Sequence, residues 1–284
     1  MKSKLVTLNN GIKMPIIGFG TYPLTNDTCI YCVCEAIKVG YRLIDTARMY
    51  KNEKAVGEGI KKCGIPREDL FITTKICSPD TTYERTKAAI KDSLSNLGLD
   101  YIDLVLIHEP YASFLEMYRA LEEAYQEGKV RAIGVSNFNE DLYLKLIQNC
   151  SIIPVINQVE SHVYYRQKKL QNIMQKHGTL MQAWSPLAVG KKDIFTHPIL
   201  SQIGKKYHKT AAQIALKYLI QENVSIIPKT SHSQRMKENI DIFDFQLDKE
   251  DKKQIEQLDL GYSEIIDHQN YMTAKWLNKY KIHD

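Results

Sequence analysis

The sequence lacks any apolar run that is long enough to cross a bilayer. Its first twenty residues also lack the sustained apolar segment of a secretory signal, because Asn9, Asn10, Gly11 and Lys13 interrupt them. We therefore expect a cytoplasmic protein that has no contact with a membrane.

The sequence also lacks a block of charge of one sign. Its 38 lysines and arginines are scattered among 33 aspartates and glutamates, which leaves a net charge of +5. A nucleic-acid-binding protein would need its basic residues clustered on one face or along one helix. We therefore expect no nucleic-acid partner, while the mild positive balance favours the approach of an anionic small molecule.

Cysteine is sparse and does not complete a metal-binding pattern. Three of the six cysteines fall in "CIYCVC" at 29–34, a spacing that allows a redox or metal motif. No second pair of cysteines or histidines at the spacing of a zinc site accompanies them. We expect no metal and interpret the three cysteines as small helix residues in a reducing compartment.

The sequence does contain a strand–helix unit that recurs eight times. A hairpin is predicted first, over 4–17, because Asn10-Gly11 tolerates the positive φ of a tight turn. The eight predicted strands are IIGFGT (16–21), RLIDTA (42–47), LFITTKI (70–76), IDLVLIHE (102–109), VRAIGVSN (130–137), PVINQVES (154–161), LMQAWSPL (180–187) and SIIPKT (225–230). A stretch of helical period follows each of them, after an irregular segment in the case of LMQAWSPL.

Continuously apolar strands that alternate with helices predict a parallel sheet covered by helices on its outer face. Eight units in a chain of 284 residues predict a closed (β/α)8 TIM barrel with an N-terminal β-hairpin, as a single domain over 1–284. The rival is a doubly wound sheet with a GxGxxG motif. It is rejected because "IIGFGTYP" has Pro23 where the third glycine belongs.

Polar residues stand at the carboxyl ends of these predicted strands, where barrel enzymes carry out their chemistry. Alone, each of them would be interpreted as a cap, a turn residue or a solvated charge. Their placement on different strands at the same rim predicts an active site. The strand-end residues are Asp45 with Tyr50 just beyond it, Lys75, His108, Ser136, Asn137, Asn157, Gln158, Lys229 and Thr230.

A set of motifs gives these residues a context. "GFGTYP", "LIDTARMYKNE", "TTKI", "LIHEP", "IGVSNF", "NQVE", "AWSPL" and "IPKTSHSQRMKEN" resemble, in order, the signature set of the aldo-keto reductases. "AWSPL" and the short C-terminal tail 267–284 look closest to the bacterial 2,5-diketogluconate reductase type. The resemblance implies a barrel enzyme, a monomer as many relatives are, that uses NADPH/NADP+ to reduce a small-molecule carbonyl substrate to an alcohol.

The resemblance implies that Asp45, Tyr50, Lys75 and His108 are catalytic, with Tyr50 as the general acid. An isolated phenol, with a pKa of about 10, is too weak an acid to donate readily at neutral pH. We expect the Lys75 ammonium to lower the pKa of Tyr50, and Asp45 to keep Lys75 protonated. His108 would orient the substrate oxygen by a hydrogen bond.

The same resemblance assigns a set of residues to the cofactor. They are Gly20, Thr21, Ser136, Asn137, Gln158, Trp184, Ser185, Leu187, Lys229, Thr230, Arg235, Glu238 and Asn239. Ser136, Asn137 and Gln158 would hold the nicotinamide carboxamide, and Trp184 would stack on the ring in place of a more usual tyrosine. Ser185 and Leu187 would lie along the pyrophosphate, with Gly190 as a further candidate for the same contact. Lys229, Thr230 and Arg235 would bind the 2′-phosphate, Arg235 with its planar fork, which predicts NADPH in preference to NADH. Glu238 and Asn239 would contact the adenine.

The residue after His108 departs from the family pattern. Many members carry an aromatic residue there, usually Trp, whereas this chain has Glu109. The predicted substrate-binding residues are therefore Tyr22, His108 and Glu109. Either Glu109 lines the pocket mouth, where it would repel acidic substrates and favour neutral, hydroxyl-bearing or cationic ones, or it points to solvent or pairs with a cation such as Arg48.

Two other functions fit parts of the sequence. One is a non-enzymatic NADP(H)-binding protein, regulatory or structural, on the same fold, against which the complete set of four catalytic residues argues. The other is an unrelated barrel hydrolase that uses Asp45 and Glu109 as a carboxylate pair, against which the phosphate-binding segment after the eighth strand argues.

Overall fold

The computed structural model describes residues 4–77, 81–110, 113–268, 272–273 and 276. Its strands are β1 Leu5–Thr7, β2 Lys13–Pro15, β3 Phe19–Gly20, β4 Leu43–Asp45, β5 Phe71–Ile76, β6 Leu104–Ile107, β7 Ile133–Ser136, β8 Ile156–Glu160, β9 Leu180–Trp184 and β10 Ser225–Ile226. Its helices are α1 Asn26–Val39, α2 Glu53–Cys63, α3 Tyr83–Leu97, α4 Phe114–Gln126, α5 Glu140–Ile147, α6 Lys168–Lys176, α7 Pro198–Tyr207, α8 Ala211–Gln221, α9 Ser233–Ile240 and α10 Lys249–Glu256.

Strands β3 to β10 form one parallel sheet in which chain neighbours are sheet neighbours. The sheet closes on itself next to its first strand. Ile226 N–H donates to the Ile16 carbonyl (3.0 Å), and Gly18 N–H donates to the Ile226 carbonyl (2.8 Å). Strands β1 and β2 pair antiparallel in front of the barrel. The predicted (β/α)8 barrel with an N-terminal hairpin is confirmed.

The continuous apolar character of the strands follows from burial on both faces. In β6, Leu104 and Leu106 belong to the smaller core cluster, while Val105 and Ile107 belong to the larger one. Successive side chains of a strand point to opposite faces, so one set fills the barrel and the other packs under the helices. Both faces exclude water, and the strand shows no polar alternation.

Two helices were not predicted from the sequence. α7 lies inside the stretch that was interpreted as irregular, and Pro198 occupies its first turn, where a missing N–H costs nothing. α10 is almost entirely charged, with only Asp251 and Ile255 buried, so it has hardly any apolar period. It begins at Asp248, whose side chain accepts hydrogen bonds from the N–H groups of Glu250 and Asp251.

Among the described residues, no helix is long and apolar enough to span a membrane. Within the same residues, no three His, Cys, Asp or Glu side chains lie together as a metal site would require. Most of the tail 267–284, on which part of the finer resemblance depends, lies outside the described residues.

Candidate active site

The predicted rim residues surround one cavity at the carboxyl ends of the strands, with a volume of about 670 Å³. Lys75 lies beneath it, fully buried. The predicted residues that line the cavity are Gly20, Thr21, Tyr22, Asp45, Tyr50, His108, Glu109, Ser136, Asn137, Gln158, Trp184, Ser185, Leu187 and Lys229. The predicted residues that do not line it are Lys75, Asn157, Thr230, Arg235, Glu238 and Asn239.

Lys75 is the centre of the polar cluster. It lies on β5, and its Nζ donates to Asp45 Oδ1 at 2.5 Å, to the Thr46 carbonyl at 2.9 Å and to the Tyr50 hydroxyl at 3.4 Å. An ammonium has three protons, so these three acceptors satisfy it completely. β4 and β5 are adjacent in the sheet, which brings Asp45 and Lys75 together at the rim.

Tyr50 stands on a short 3-10 turn that follows β4, Arg48–Tyr50. Its ring lies between Tyr22, at a centroid distance of 4.9 Å, and His108, at 5.7 Å. His108 follows β6, and its Nδ1 is buried without a hydrogen-bond partner among the described residues. The two rings therefore meet edge to face on the cavity wall, where a small carbonyl could contact both.

The pKa of Tyr50 moves in the opposite direction to the one predicted. Burial raises the pKa of the phenol well above its ordinary value, and the Asp45 and Glu109 carboxylates raise it further. Lys75 does not reverse this because its ammonium is already paired with Asp45. Burial also lowers the pKa of Lys75, an effect that Asp45 opposes. Tyr50 is therefore a protonated phenol at neutral pH.

Burial, Lys75 and His268 together lower the pKa of His108 well below its ordinary value. The imidazole is consequently neutral at neutral pH, with a single N–H to donate. A neutral ring can polarise a carbonyl oxygen by a hydrogen bond while Tyr50 keeps the proton that is to be transferred.

Gln158 of β8, one of the predicted carboxamide-binding residues, bonds to the catalytic cluster. Its Nε2 donates to Asp45 Oδ2 and to Gln182 Oε1, both at 2.8 Å, so both of its N–H groups are used. Gln182 Nε2 in turn donates to Ser225 Oγ at 3.1 Å. This buried chain fixes the second oxygen of Asp45. Sequence reasoning missed Gln182, for which the only signal was a glutamine in the apolar run "LMQAW".

Asn137 lies at the end of β7 in the left-handed region, with φ of 62°. Its Nδ2 donates to Glu109 Oε1 (3.0 Å) and to the His108 carbonyl (3.2 Å). Its Oδ1 accepts from Trp184 Nε1 at 2.7 Å. The neighbouring Ser136 hydroxyl donates to the Gln158 carbonyl at 2.8 Å. These bonds hold the predicted carboxamide-binding residues and Trp184 in one connected group.

Glu109 adopts neither of the two arrangements expected of a residue outside the pocket. It lines the cavity at 5% exposure, and its Oε2 lies 2.9 Å from His268 Nδ1. Arg48 instead pairs with Asp92, at 3.6 Å, on the helical side of the barrel. Burial raises the pKa of Glu109, which His268 and Asn137 partly offset. Sequence reasoning missed His268, which lies 159 residues away.

The segment after β9 forms another wall of the cavity. Ser185, Ala188 and Val189 all have φ near +50°, so the chain turns back sharply after Trp184. Val189, Gly190 and Phe195 line the cavity, of which sequence reasoning named only Gly190, as a possible pyrophosphate contact.

Of the predicted phosphate and adenine residues, Lys229 lines the cavity, and the others follow it in the turn into α9 and on α9 itself. Lys229 follows β10 and is exposed, and Arg235 is exposed on α9. Thr230 and Asn239 are buried. Thr230 Oγ1 accepts from the His232 N–H at 3.1 Å, which shapes the turn into α9. Glu238 Oε1 accepts from Gln234 within the helix.

Gly20 lies beside Ile227 and Lys229, where β3 meets the end of β10. A Cβ on Gly20 would lie 3.0 Å from the Ile227 carbonyl oxygen, closer than ordinary side-chain packing allows. The absence of a side chain lets β3 and β10 approach each other at the rim, where Lys229 also lies.

Comparisons with known proteins agree with this geometry. A sequence model described as the Aldo/keto reductase family matches residues 16–260. The chain is 45% identical over 255 residues to a glyoxal reductase from Bacillus subtilis (strain 168), covering 89% of this chain and 92% of that protein.

Solved structures show the same similarity. MGS-M4, an aldo-keto reductase from a Medee basin deep-sea metagenome library, has a TM-score of 0.91 and 43% identity, over 93% of this chain and 98% of that one. A Bombyx mori aldo-keto reductase in complex with NADP has a TM-score of 0.89 and 34% identity, over 99% of both chains.

Proposed function

The chain belongs to the aldo/keto reductase family, and on that premise we propose that it reduces an aldehyde or ketone to an alcohol with NADPH, using Tyr50 as the acid. The observation that carries the proposal is the buried Lys75 ammonium, bonded to Asp45 and to the hydroxyl of Tyr50. This arrangement supplies a proton donor at the cavity and a positive charge behind it. The name of the glyoxal reductase and the NADP complex of the silkworm protein support the same reaction class.

The described residues fit the cofactor. Trp184 presents an aromatic ring at the cavity wall, next to the amide of Asn137. The exposed cations Lys229 and Arg235 lie after β10 and on α9, and a guanidinium fork suits a phosphate group. Gln158 could offer only its Oε1 to the carboxamide, because Asp45 and Gln182 use both N–H groups. When bound, NADPH would supply the hydride that the carbonyl carbon accepts.

The residues of the chain would supply the proton. Tyr50 donates its hydroxyl proton to the carbonyl oxygen as the carbon accepts the hydride, and the products are an alcohol and a phenolate. The ammonium of Lys75, 3.4 Å from that hydroxyl, stabilises the phenolate as it forms. The neutral imidazole of His108 orients the carbonyl oxygen by a hydrogen bond.

Tyr50→Phe tests the proposal. We expect it to reduce carbonyl turnover by about 10²–10⁴-fold, because a positioned acid contributes that much to rate. NADPH binding, followed by quenching of tryptophan fluorescence, should be retained. Tyr31→Phe is the matched control, since Tyr31 is exposed on α1. Wild-type turnover by Tyr50→Phe would remove Tyr50 from the role.

The same assays separate the two alternatives. A wild-type protein that binds NADPH yet reduces no aldehyde would favour the non-enzymatic protein. The hydrolase is disfavoured because both of its carboxylates are occupied, Asp45 by Lys75 and Gln158, and Glu109 by Asn137 and His268. The single-domain organisation, the monomeric state, the cytoplasmic location and the 2,5-diketogluconate reductase type stay predictions.

A further inference from the structure

One wall of the cavity joins the end of β6 to the segment after α10. Glu109 follows β6, and His268 comes from the segment after α10. Their side chains meet at 2.9 Å, and they are mostly buried, with exposures of 5% and 13%. The His268 ring also contacts the edge of Trp184 at a centroid distance of 5.8 Å. The pair therefore lies between the proposed nicotinamide platform and the catalytic His108.

Much of the remaining wall of the cavity is apolar. Its apolar side chains include Met49, Trp184, Leu187, Phe195 and Ile266. A polar group in such surroundings forms stronger hydrogen bonds than in water, and it costs more free energy when a bound ligand leaves it without a partner. Glu109 is thus placed to discriminate between substrates by their hydrogen-bonding groups.

The carboxylate of Glu109 retains accepting capacity. A carboxylate offers about four acceptor positions, of which Asn137 takes one, on Oε1, and His268 another, on Oε2. These two bonds fix the orientation of the carboxylate and leave further lone pairs for a ligand that donates. A hydroxyl can donate to them, whereas a carboxylate substituent can only present another acceptor.

We propose that Glu109, positioned by His268 and Asn137, selects carbonyl substrates that carry a hydroxyl within two carbons of the carbonyl. The proposal rests on the proposed carbonyl reduction, and it places the hydroxyl near the Tyr50–His108 wall because Tyr50, His108 and Glu109 line the same cavity. A site built to bond a substrate hydroxyl rejects the analogue that lacks it, since a buried polar group then has no partner.

The test compares three aldehydes of equal carbon number with NADPH: propanal, 2-hydroxypropanal and 3-hydroxypropanal. In the wild type, kcat/KM for the better hydroxyaldehyde should exceed that for propanal by about 10- to 100-fold, as expected for a bond to a charged group. Glu109→Met should bring this ratio close to one. Glu109→Gln, which keeps one acceptor oxygen and the size of the side chain, should retain part of the preference.

Glu160→Gln is the matched control. Glu160 accepts from Ser263 Oγ at 2.6 Å and pairs with His162 at 3.0 Å, so it fixes the same C-terminal segment. However, it lines a neighbouring pocket of about 340 Å³ and not the main cavity. The wild-type preference should persist in this variant. His268→Leu, which removes a positioning bond, should lower it.

Equal ratios in wild type, Glu109→Met and Glu109→Gln would overturn the inference and leave carbonyl reduction standing. Loss of the preference in Glu160→Gln to the same extent as in Glu109→Gln would also overturn it, because the position of the segment would then decide selectivity. If the wild type reduced none of the three aldehydes while binding NADPH, the proposed function itself would fail.

Discussion

At the scale of single residues, Lys75 shows what a buried charge requires. Its ammonium is fully buried, and three oxygens of Asp45, Thr46 and Tyr50 surround it. A charge removed from water is tolerated only when it is paired and hydrogen-bonded. Because Gln158 fixes Asp45, the Lys75 ammonium next to the Tyr50 hydroxyl is held in a single position.

Asp45→Asn should narrow the pH range of activity on its alkaline side. Burial already lowers the pKa of Lys75, and Asp45 opposes this effect. Without the carboxylate the pKa of Lys75 falls further, so the ammonium loses its proton at a lower pH. In a profile of kcat/KM against pH, the alkaline limb of the variant should lie at lower pH than that of the wild type. If the alkaline limbs of the two profiles coincide, the reaction does not depend on the charge of Lys75.

Arg235→Ala should separate the two cofactors. If Arg235 binds the 2′-phosphate as proposed, this charge-assisted bond forms only with NADPH, and a bond of this kind contributes about 1.5–3 kcal/mol, or roughly 10- to 100-fold in Kd. NADPH should be weakened by that factor and NADH hardly at all. Lys237→Ala, an exposed cation on the same helix, is the control. Equal losses for both cofactors would contradict the assignment of Arg235.

At the scale of elements, Glu222 joins the ends of several helices. It follows α8 and pairs with Lys168 of α6 at 3.1 Å and with Lys252 of α10 at 2.6 Å. Burial would raise the pKa of Glu222, but the bonds from Lys252 and Lys168 outweigh it and lower the pKa below its usual 4.5. The helices on this side of the barrel are therefore connected through one ionised carboxylate.

Glu222→Gln should lower stability in a way that depends on pH. A carboxyl whose folded pKa is depressed stabilises the fold above its unfolded pKa, and this contribution is lost as pH falls through the folded value. The variant should therefore unfold at lower urea concentration than the wild type at pH 7. The difference should shrink as the pH falls below about 4.5. A difference that stays constant down to pH 3 would show that packing, and not charge, is responsible.

At the scale of the whole molecule, the two ends of the barrel have separate tasks. The amino ends of the strands hold Asp103, which is fully buried and accepts from Arg67 (2.6 Å), Arg131 (2.8 Å) and the Ile72 N–H (2.9 Å). These contacts join the starts of β5, β6 and β7, while the cavity opens at the opposite rim. Residues at that lower end of such a barrel serve stability.

Asp103→Ala should reduce stability without changing the chemistry. The variant leaves the buried Ile72 N–H without its acceptor, which costs about 1–3 kcal/mol, while Arg67 and Arg131 are partly exposed and water can solvate them. Urea unfolding should show this loss, while kcat/KM per folded molecule measured below the unfolding transition stays at the wild-type value. Tyr50→Phe should behave in the opposite way, with normal unfolding and little turnover. A large fall in kcat/KM of folded Asp103→Ala would show that the two ends are coupled.

The sequence by itself determined the repeated units, the barrel and the set of rim residues. Strand and helix periods are local properties, and a parallel barrel places every strand end at the same rim, so Asp45 and His108 could be assigned to one site from order alone. Helices α7 and α10 were not predicted, because their positions depend on a proline or a capping residue more than on an apolar period.

Only the tertiary structure decided the partners of those residues. Gln158 bonds to Asp45 across 113 residues, and Glu109 meets His268 across 159. The direction of the Tyr50 pKa was likewise wrong from sequence, because it depends on burial and on whether Lys75 is already paired. Such contacts form when the closed barrel brings distant strand ends and the C-terminal segment within a few ångströms of each other. Local sequence patterns therefore do not determine which acceptor each donor bonds to.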